Sequence, residues 1–298
     1  MPEGDTVWLL ARRLDEALAG HRLTRCDLRV PRLATVDLTG RTVLAVVPRG
    51  KHLLTRFDGG HFGGGRPEAG RSEGGLTLHS HLRMDGAWRI YAPDERWRGG
   101  PAHQIRAVLG TAAHTAVGYR LPVLELLRTA DEDKVTGHLG PDLLGPDWDP
   151  DEALRRLLTD PGRPLGEALL DQRNLAGIGN VFACELCFLL GASPWLPVGA
   201  LPAPERAPAL AKKLLEANKD RPDRVTTPWG LGPPASGAAA RGLRDRRLWV
   251  YGRAGRPCLR CGTPVRTAGP GPTSHGRVTY WCPACQPPPP EGTPPTGP

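Results

Sequence analysis

Four cysteines near the C-terminus constrain this chain more than any other feature in it. Cys258 and Cys261 form one C-x-x-C pair and Cys282 and Cys285 a second, with residues 262–281 between them. The spacing is that of two metal knuckles, each turning a pair of thiolates toward one tetrahedral ion with sulfur about 2.3 Å from zinc. So short a segment has little apolar core, and the ion supplies much of its folding energy. The pattern predicts a four-cysteine zinc finger over 250–286 with one structural Zn(II) and a bulge at 267–274. Cys184 and Cys187 repeat the C-x-x-C spacing inside an apolar helical run and read as buried small hydrophobes. Paired cysteines at ligand spacing point to a reducing compartment rather than to disulfides.

The full length of 298 residues has room for about two domains besides the finger. A formal net charge of +8 fits a polyanionic partner. Arginine greatly outnumbers lysine, and its planar fork matches phosphate oxygens. The codon bias of a GC-rich genome produces the same excess, along with the many Gly, Pro and Ala residues. Glu3, Asp5, Asp15 and Glu16 near the start are unlike a signal peptide, and no apolar run reaches the ~20 residues of a membrane span. The expectation is a soluble, cytoplasmic protein.

Hydrophobic periodicity divides the chain. Val7, Leu10, Ala11, Leu14 and Leu18 recur at helical spacing, predicting a helix over 5–19 with Asp5 as its N-cap. Strand patterns follow at 21–30, 41–47, 52–57, 75–81, 87–91, 105–109 and 112–119. The Gly-rich stretch 59–75 interrupts them as a loop. A catalytic β-domain over 1–128, a linker over 129–149 and a helical domain over 150–249 are expected, with helices at 150–158, 164–171, 180–190 and 203–219. Residues 220–241 lack periodicity and read as a loose loop, and 287–298 as a disordered tail.

Chemistry is suggested at the start, Met1-Pro2-Glu3-Gly4-Asp5. Removal of Met1 exposes the secondary amine of Pro2, and an α-amino group titrating near ~8 is partly nucleophilic at neutral pH. Such an amine attacks a sugar's anomeric carbon to give an iminium, and Glu3 beside it can serve as general acid or base. Alternatively, Pro-Glu is only a helix lead-in. In the middle, Gly177-Ile178-Gly179 precedes a helix opening at Asn180. It is either a phosphate-binding helix N-terminus or a plain tight turn. His79 and His81 would share one face of a strand as possible metal ligands, without an evident third. Arg277 and Thr279 would lie on one face of a finger strand, with Val278 and Tyr280 on the other.

A start reading Pro-Glu-Gly, the stretch Leu170-Asp171-Gln172 through Leu175-Ala176-Gly177-Ile178-Gly179-Asn180, and the four-cysteine finger occur here in one order. Together they resemble the endonuclease VIII (Nei) and formamidopyrimidine-DNA glycosylase (Fpg) family, and the opening PEGDTVW is similar to actinobacterial endonuclease VIII-type enzymes. The resemblance runs from Pro2 to about Gln286. It implies an α+β fold of two domains: an N-terminal β-sandwich with flanking helices, and a C-terminal helical domain with a helix–two-turns–helix element and a zinc finger.

By the same resemblance the protein is a bifunctional DNA glycosylase and abasic-site lyase acting on oxidised pyrimidines in damaged double-stranded DNA, as a monomer without small-molecule cofactor. Pro2, Glu3, Lys51 and Arg277 are the implied catalytic residues. Arg83, Met84, His138 and Asn180 are the implied DNA contacts, with Met84 as a wedge in the gap left by the extruded nucleotide. From the residues alone, Met84 reads instead as a core methionine and Lys51 as a solvated turn lysine. Two rivals stay open: a non-catalytic zinc protein that binds damaged DNA, and an oxidised-purine enzyme of the same family.

Overall fold

The computed structural model describes residues 2–59, 74–228, 246–269 and 277–288. The insertion expected at 59–75, the bulge at 267–274 and the tail at 287–298 lie mostly outside them, as does much of the loop at 220–241. The chain forms two compact units, Met1–His138 and Leu139–Pro298.

The first unit opens with helix α1 (Gly4–Leu18). Val7, Ala11, Leu14 and Leu18 recur on one face, and all are buried. The N-cap is Glu3, not Asp5 as the sequence suggests: Glu3 is extended (φ −127°), and its carbonyl accepts from the Val7 amide at 3.0 Å. Asp5 instead lies inside the first turn, where its Oδ1 accepts from the Thr6 amide at 2.7 Å. A carboxylate there still favours the helix by facing the positive end of its dipole.

Eight strands follow: β1 (Arg25–Leu28), β2 (Val43–Arg49), β3 (His52–Phe57), β4 (Leu76–His81), β5 (Ala87–Tyr91), β6 (Ile105–Gly110), β7 (Thr115–Tyr119) and β8 (Val123–Arg128). They form two antiparallel sheets, ordered β1-β6-β7-β5 and β2-β3-β4-β8. One core takes Leu28, Trp88, Leu109 and Ala116 from the first sheet, Val46, Leu53, Phe57 and Leu78 from the second, and the apolar face of α1. Side chains from two sheets filling a common core make this a β-sandwich. A short helix α2 (Asp133–Thr136) ends the unit, tied back by Glu132, whose carboxylate takes Arg56 Nε at 2.8 Å and Thr77 Oγ1 at 2.7 Å.

The second unit begins with residues that pair onto later ones: Asp142 bridges Ala176, and the Gly140 amide donates to Gln172 O at 2.9 Å. Helices α3 (Pro150–Leu157), α4 (Leu165–Leu170), α5 (Asn180–Leu190) and α6 (Arg206–Asn218) build its core. Asp149 caps α3 by accepting from the amides of Asp151 and Glu152, with Pro150 in the first turn. Helix α5 is buried on nearly all sides from Asn180 to Phe188, because α4, α6 and a C-terminal strand all pack on it. It stops at Gly191, whose φ of +69° favours glycine.

Residues 221–228 are not the loose loop the composition suggests. Asn218 is fully buried and bonds Val225 through both its amide groups, the backbone amides of Thr226 and Thr227 donate to Arg247 O, and the Thr227 hydroxyl donates to Arg246 O. Strands β9 (Arg266–Ala268) and β10 (Thr279–Trp281) pair antiparallel at the end of the chain. Among the described residues no helix is long and apolar enough to cross a membrane.

Candidate functional site

In the first unit, helix α1 presents Pro2 and Glu3. Glu3 is wholly buried and Pro2 half-buried. The helix packs chiefly on β2, and its Asp15 carboxylate accepts from the Val46 amide at 2.7 Å. The start of the chain is therefore fixed to the strand that runs into the Lys51 turn.

That turn is a two-residue hairpin. Arg49 pairs with His52, and Gly50 and Lys51 form the loop. Gly50 has φ +56°, and glycine at the first central position is the type II′ pattern, whose twist suits a tight hairpin. Lys51 is thereby held at the edge of the β2-β3-β4-β8 sheet, half-buried rather than freely solvated.

Beside it lies a cluster of histidines that sequence reasoning glimpsed only in part. His52 pairs with His81 and His79 with Glu125, so register brings all four to one face of the sheet. His52 Nδ1 lies 2.8 Å from His79 Nε2, and His79 Nδ1 lies 3.2 Å from a Glu125 oxygen. The His52 ring also sits edge-on to His81 at 4.9 Å and to His138 at 6.0 Å. Burial, then His81, His79, His138 and Lys51, lower His52 to about 3. Burial, then Lys51, His79 and Arg83, lower His81 to about 4. Burial lowers His79 as well, against the pull of Glu125. The three imidazoles are neutral at neutral pH.

The next turn carries Arg83 and Met84. Arg83 adopts φ +45°, a left-handed conformation that costs a non-glycine residue about 1–2 kcal/mol. Three bonds hold the loop there: the Arg83 amide donates to His81 Nδ1 at 3.0 Å, Arg120 Nε to Asp85 O at 3.1 Å, and the Gly86 amide to Leu82 O at 2.9 Å. Met84 is thrust outward, 62% exposed. The core-methionine reading is thus overturned. Arg120, which braces the loop from another strand end, carries no local signal of its role.

In the second unit the α4–α5 connection is stapled by Gln172. Its Nε2 donates to Leu170 O and Ile178 O, and its Oε1 accepts from the Gly177 amide at 3.1 Å. Gly177 has φ +110°, which favours glycine. Asn180 opens α5 and donates through Nδ2 to Val278 O at 2.8 Å. It therefore braces the residue next to Arg277, a role the sequence does not disclose. Asn180, Arg277 and Thr279 line one depression together with Glu167, Cys184 and Trp195. Arg277 and Thr279 do share a face, while Val278 is exposed and Tyr280 packs inward against Tyr251.

The sulfurs of Cys258, Cys261, Cys282 and Cys285 lie within 4.8 Å of one another. Cys258 and Cys285 are 3.9 Å apart and Cys261 and Cys282 3.5 Å. Ligands on ~2.3 Å bonds to a tetrahedral ion sit roughly 3.8 Å apart, so the four fit a zinc-sized cation. Burial, then the neighbouring Cys261 and Cys282, push the Cys285 thiol well up. Cys184 and Cys187 are buried in α5 and lie outside this group. Glu185, on the same helix and fully buried, accepts from the amides of Trp249, Val250 and Tyr251 and from Thr226 Oγ1. This carboxylate ties the approach to the cysteine module onto α5, and nothing local in the sequence marks it.

Residues 1–120 match the model of the formamidopyrimidine-DNA glycosylase N-terminal domain. The chain is 66% identical over 288 residues to a probable endonuclease 8 2 of Streptomyces coelicolor, covering 96% of this chain and 94% of that protein. It is 48% identical over 286 residues to the DNA-(apurinic or apyrimidinic site) lyase Nei2 of Mycolicibacterium smegmatis, covering 96% and 99%. Among solved structures, the Lactococcus lactis Fpg in complex with DNA containing N7-benzyl-Fapy-dG shares the fold. Its TM-score is 0.71 at 22% identity, over 96% of this chain and 99% of that one. With two relatives this similar over nearly their whole length, the chain belongs to the endonuclease VIII and formamidopyrimidine-DNA glycosylase family of DNA repair enzymes.

Proposed function

We propose that the protein excises oxidised pyrimidines from damaged double-stranded DNA and then nicks the strand by β,δ-elimination. The observation that carries the reading is the wholly buried carboxylate of Glu3, held beside Pro2 at the start of α1. A carboxyl group sequestered next to an amine nucleophile suits acid–base work on a sugar. After loss of Met1, Pro2 attacks the anomeric carbon while Glu3 protonates the sugar ring oxygen. The base departs, and an iminium joins Pro2 to the opened sugar. That cation acidifies the adjacent sugar protons, so the 3′ and then the 5′ phosphate are eliminated.

Lys51 and Arg277 contact the phosphates and assist elimination in this scheme. Asn180 and His138 grip the backbone, and Arg83 positions the loop from which Met84 enters the gap left by the flipped nucleotide. A zinc ion held by Cys258, Cys261, Cys282 and Cys285 would be structural, fixing the hairpin that carries Arg277. The 48% relative named as an abasic-site lyase supports the lyase half.

Borohydride reduction during incubation with a panel of lesion oligonucleotides tests the whole scheme. Covalent adducts should form on oxidised pyrimidines and map to Pro2, and Pro2→Gly should abolish them while DNA binding persists. Glu3→Gln should lose base excision yet retain some scission at a preformed abasic site. An adduct mapped to Lys51 would overturn the nucleophile. Trapping only on oxidised purines would assign the rival specificity, and no trapping on any lesion would favour the non-catalytic rival.

A further inference from the structure

The histidine cluster contains an ordered hydrogen-bond chain that the scheme above does not use. A carboxylate at neutral pH can only accept, so the 3.2 Å contact to Glu125 requires the proton on His79 Nδ1. With His79 neutral, its Nε2 is then an acceptor. The 2.8 Å contact to that nitrogen in turn requires the proton on His52 Nδ1. His52, also neutral, is left with a bare lone pair on Nε2. Among the described residues no group hydrogen-bonds that nitrogen, and the ring's remaining neighbours are His81, His138 and Lys51. One carboxylate on β8 thus sets the tautomer of an imidazole two strands away, as the acidic member of a hydrolase triad does for its histidine.

We propose that Glu125, His79 and His52 are positioning residues for the Lys51 site, a relay that keeps an acceptor, never a donor, facing the lysine. The inference rests on the reading that Lys51 works on the abasic-site sugar and its phosphates. A neutral acceptor near the ammonium adds no rival donor, so the lysine alone meets an incoming phosphate. An Nε2–H in the same place would compete with the lysine for that phosphate. The far end of the relay, Glu125, is half exposed and remote in sequence from Lys51, so altering it leaves the core and the lysine itself untouched.

Two measurements on the full-length protein test this. Nitrogen-15 histidine spectra at neutral pH, without DNA, should show His79 and His52 both as Nδ1–H tautomers. Glu125→Ala should release His79 to a mixture, while Glu125→Gln, which still offers an acceptor, should not. Single-turnover scission of a preformed abasic site should then fall about tenfold in rate for Glu125→Ala and for His52→Ala, but only two- to threefold for Glu125→Gln. The double variant Glu125→Ala/His52→Ala should be no slower than either single one, because both break the same chain. Either residue found as the Nε2–H tautomer in the wild type would overturn the relay. So would additive losses, or variants that melt normally and cleave at the wild-type rate. If the wild type shows the expected tautomers but forms no borohydride adduct with any lesion, the proposed function fails while the relay geometry stands. In that case the positioning role falls with the lyase reading it serves.

Discussion

The two units order their polar side chains by opposite means. In the first, an apolar core shared by two sheets sets strand register, and register alone brings His52, His79, His81 and Glu125 to one face. In the second, the cysteine module has only a small core, Trp249, Val250, Val265 and the cysteines packed on α5. Four sulfurs and the buried Glu185 carboxylate do the ordering there. The lesson is that polar geometry can be a by-product of hydrophobic packing or a substitute for it. The two should fail under different insults.

Removing metal should produce the largest contrast. A strong chelator, or Cys282→Ser at a wholly buried position, should abolish amide-exchange protection across 257–269 and 277–286 and weaken DNA binding at least tenfold. Protection in β3 and β4 should be unchanged. Equal loss in both units would mean that the sandwich depends on the finger. Phe57→Ala is the converse. Phe57 is wholly buried in the sandwich core, and truncation of such a side chain costs about 3–5 kcal/mol. The variant should melt early in the first unit while metal content stays stoichiometric.

Acid should join what chelation separates. His52 and His81 are lowered to about 3 and about 4 in the folded protein, against an ordinary value of 6.5. Between those values the unfolded chain binds more protons than the folded one. Their contribution is fully present above pH 6.5 and is lost as pH falls from 6.5 toward 4 and then 3. The first unit should lose melting temperature steadily over that window, and His52→Asn should flatten the decline. A metal-bound finger loses its ion in the same range as its thiolates protonate, so both units should weaken. An acid profile unaltered by His52→Asn would remove the cluster from the account.

The same contrast decides what could be read before the fold was known. Metal ligands sit at fixed short spacing, so the four cysteines were visible as a set. Helix α5 was visible from Asn180 to Leu190, and β3 and β5 to the residue, because periodicity and turn residues are local signals. The histidine cluster was not visible beyond His79 and His81, since its members on β3, β4 and β8 meet only through register and His138 joins them from the segment after α2. Strand β8 was missed because Val123-Leu124-Glu125-Leu126-Leu127 breaks strict alternation. Asp5 misled as a cap because the extended backbone of Glu3, not a side-chain bond, starts α1. Asn180 and Glu185 show a further limit: they bond backbone groups 64 to 98 residues away, Glu185 also a side chain 41 residues away, and no composition signal reports such bonds.

The smallest effect expected is the most specific. Arg277 precedes β10 and lines the depression shared by Asn180 and Thr279. Asn180 fixes its neighbour by bonding Val278 O, so the guanidinium is placed at little entropic cost and can meet phosphate oxygens with both arms of its fork. It makes no hydrogen bond or ion pair among the described residues, which leaves its donors available. Each phosphate neutralised contributes roughly 0.9 to the slope of log affinity against log salt. Arg277→Ala should therefore bind an abasic-site duplex a few-fold more weakly, with a slope shallower by about one. Its products should shift from β,δ- toward β-elimination. Asn180→Ala should reproduce part of the product shift through the loosened strand, and Arg277→Lys should restore the slope better than the product ratio, since lysine is a point charge. An Arg277→Ala variant with unchanged slope and products would move the finger's contribution to another side chain.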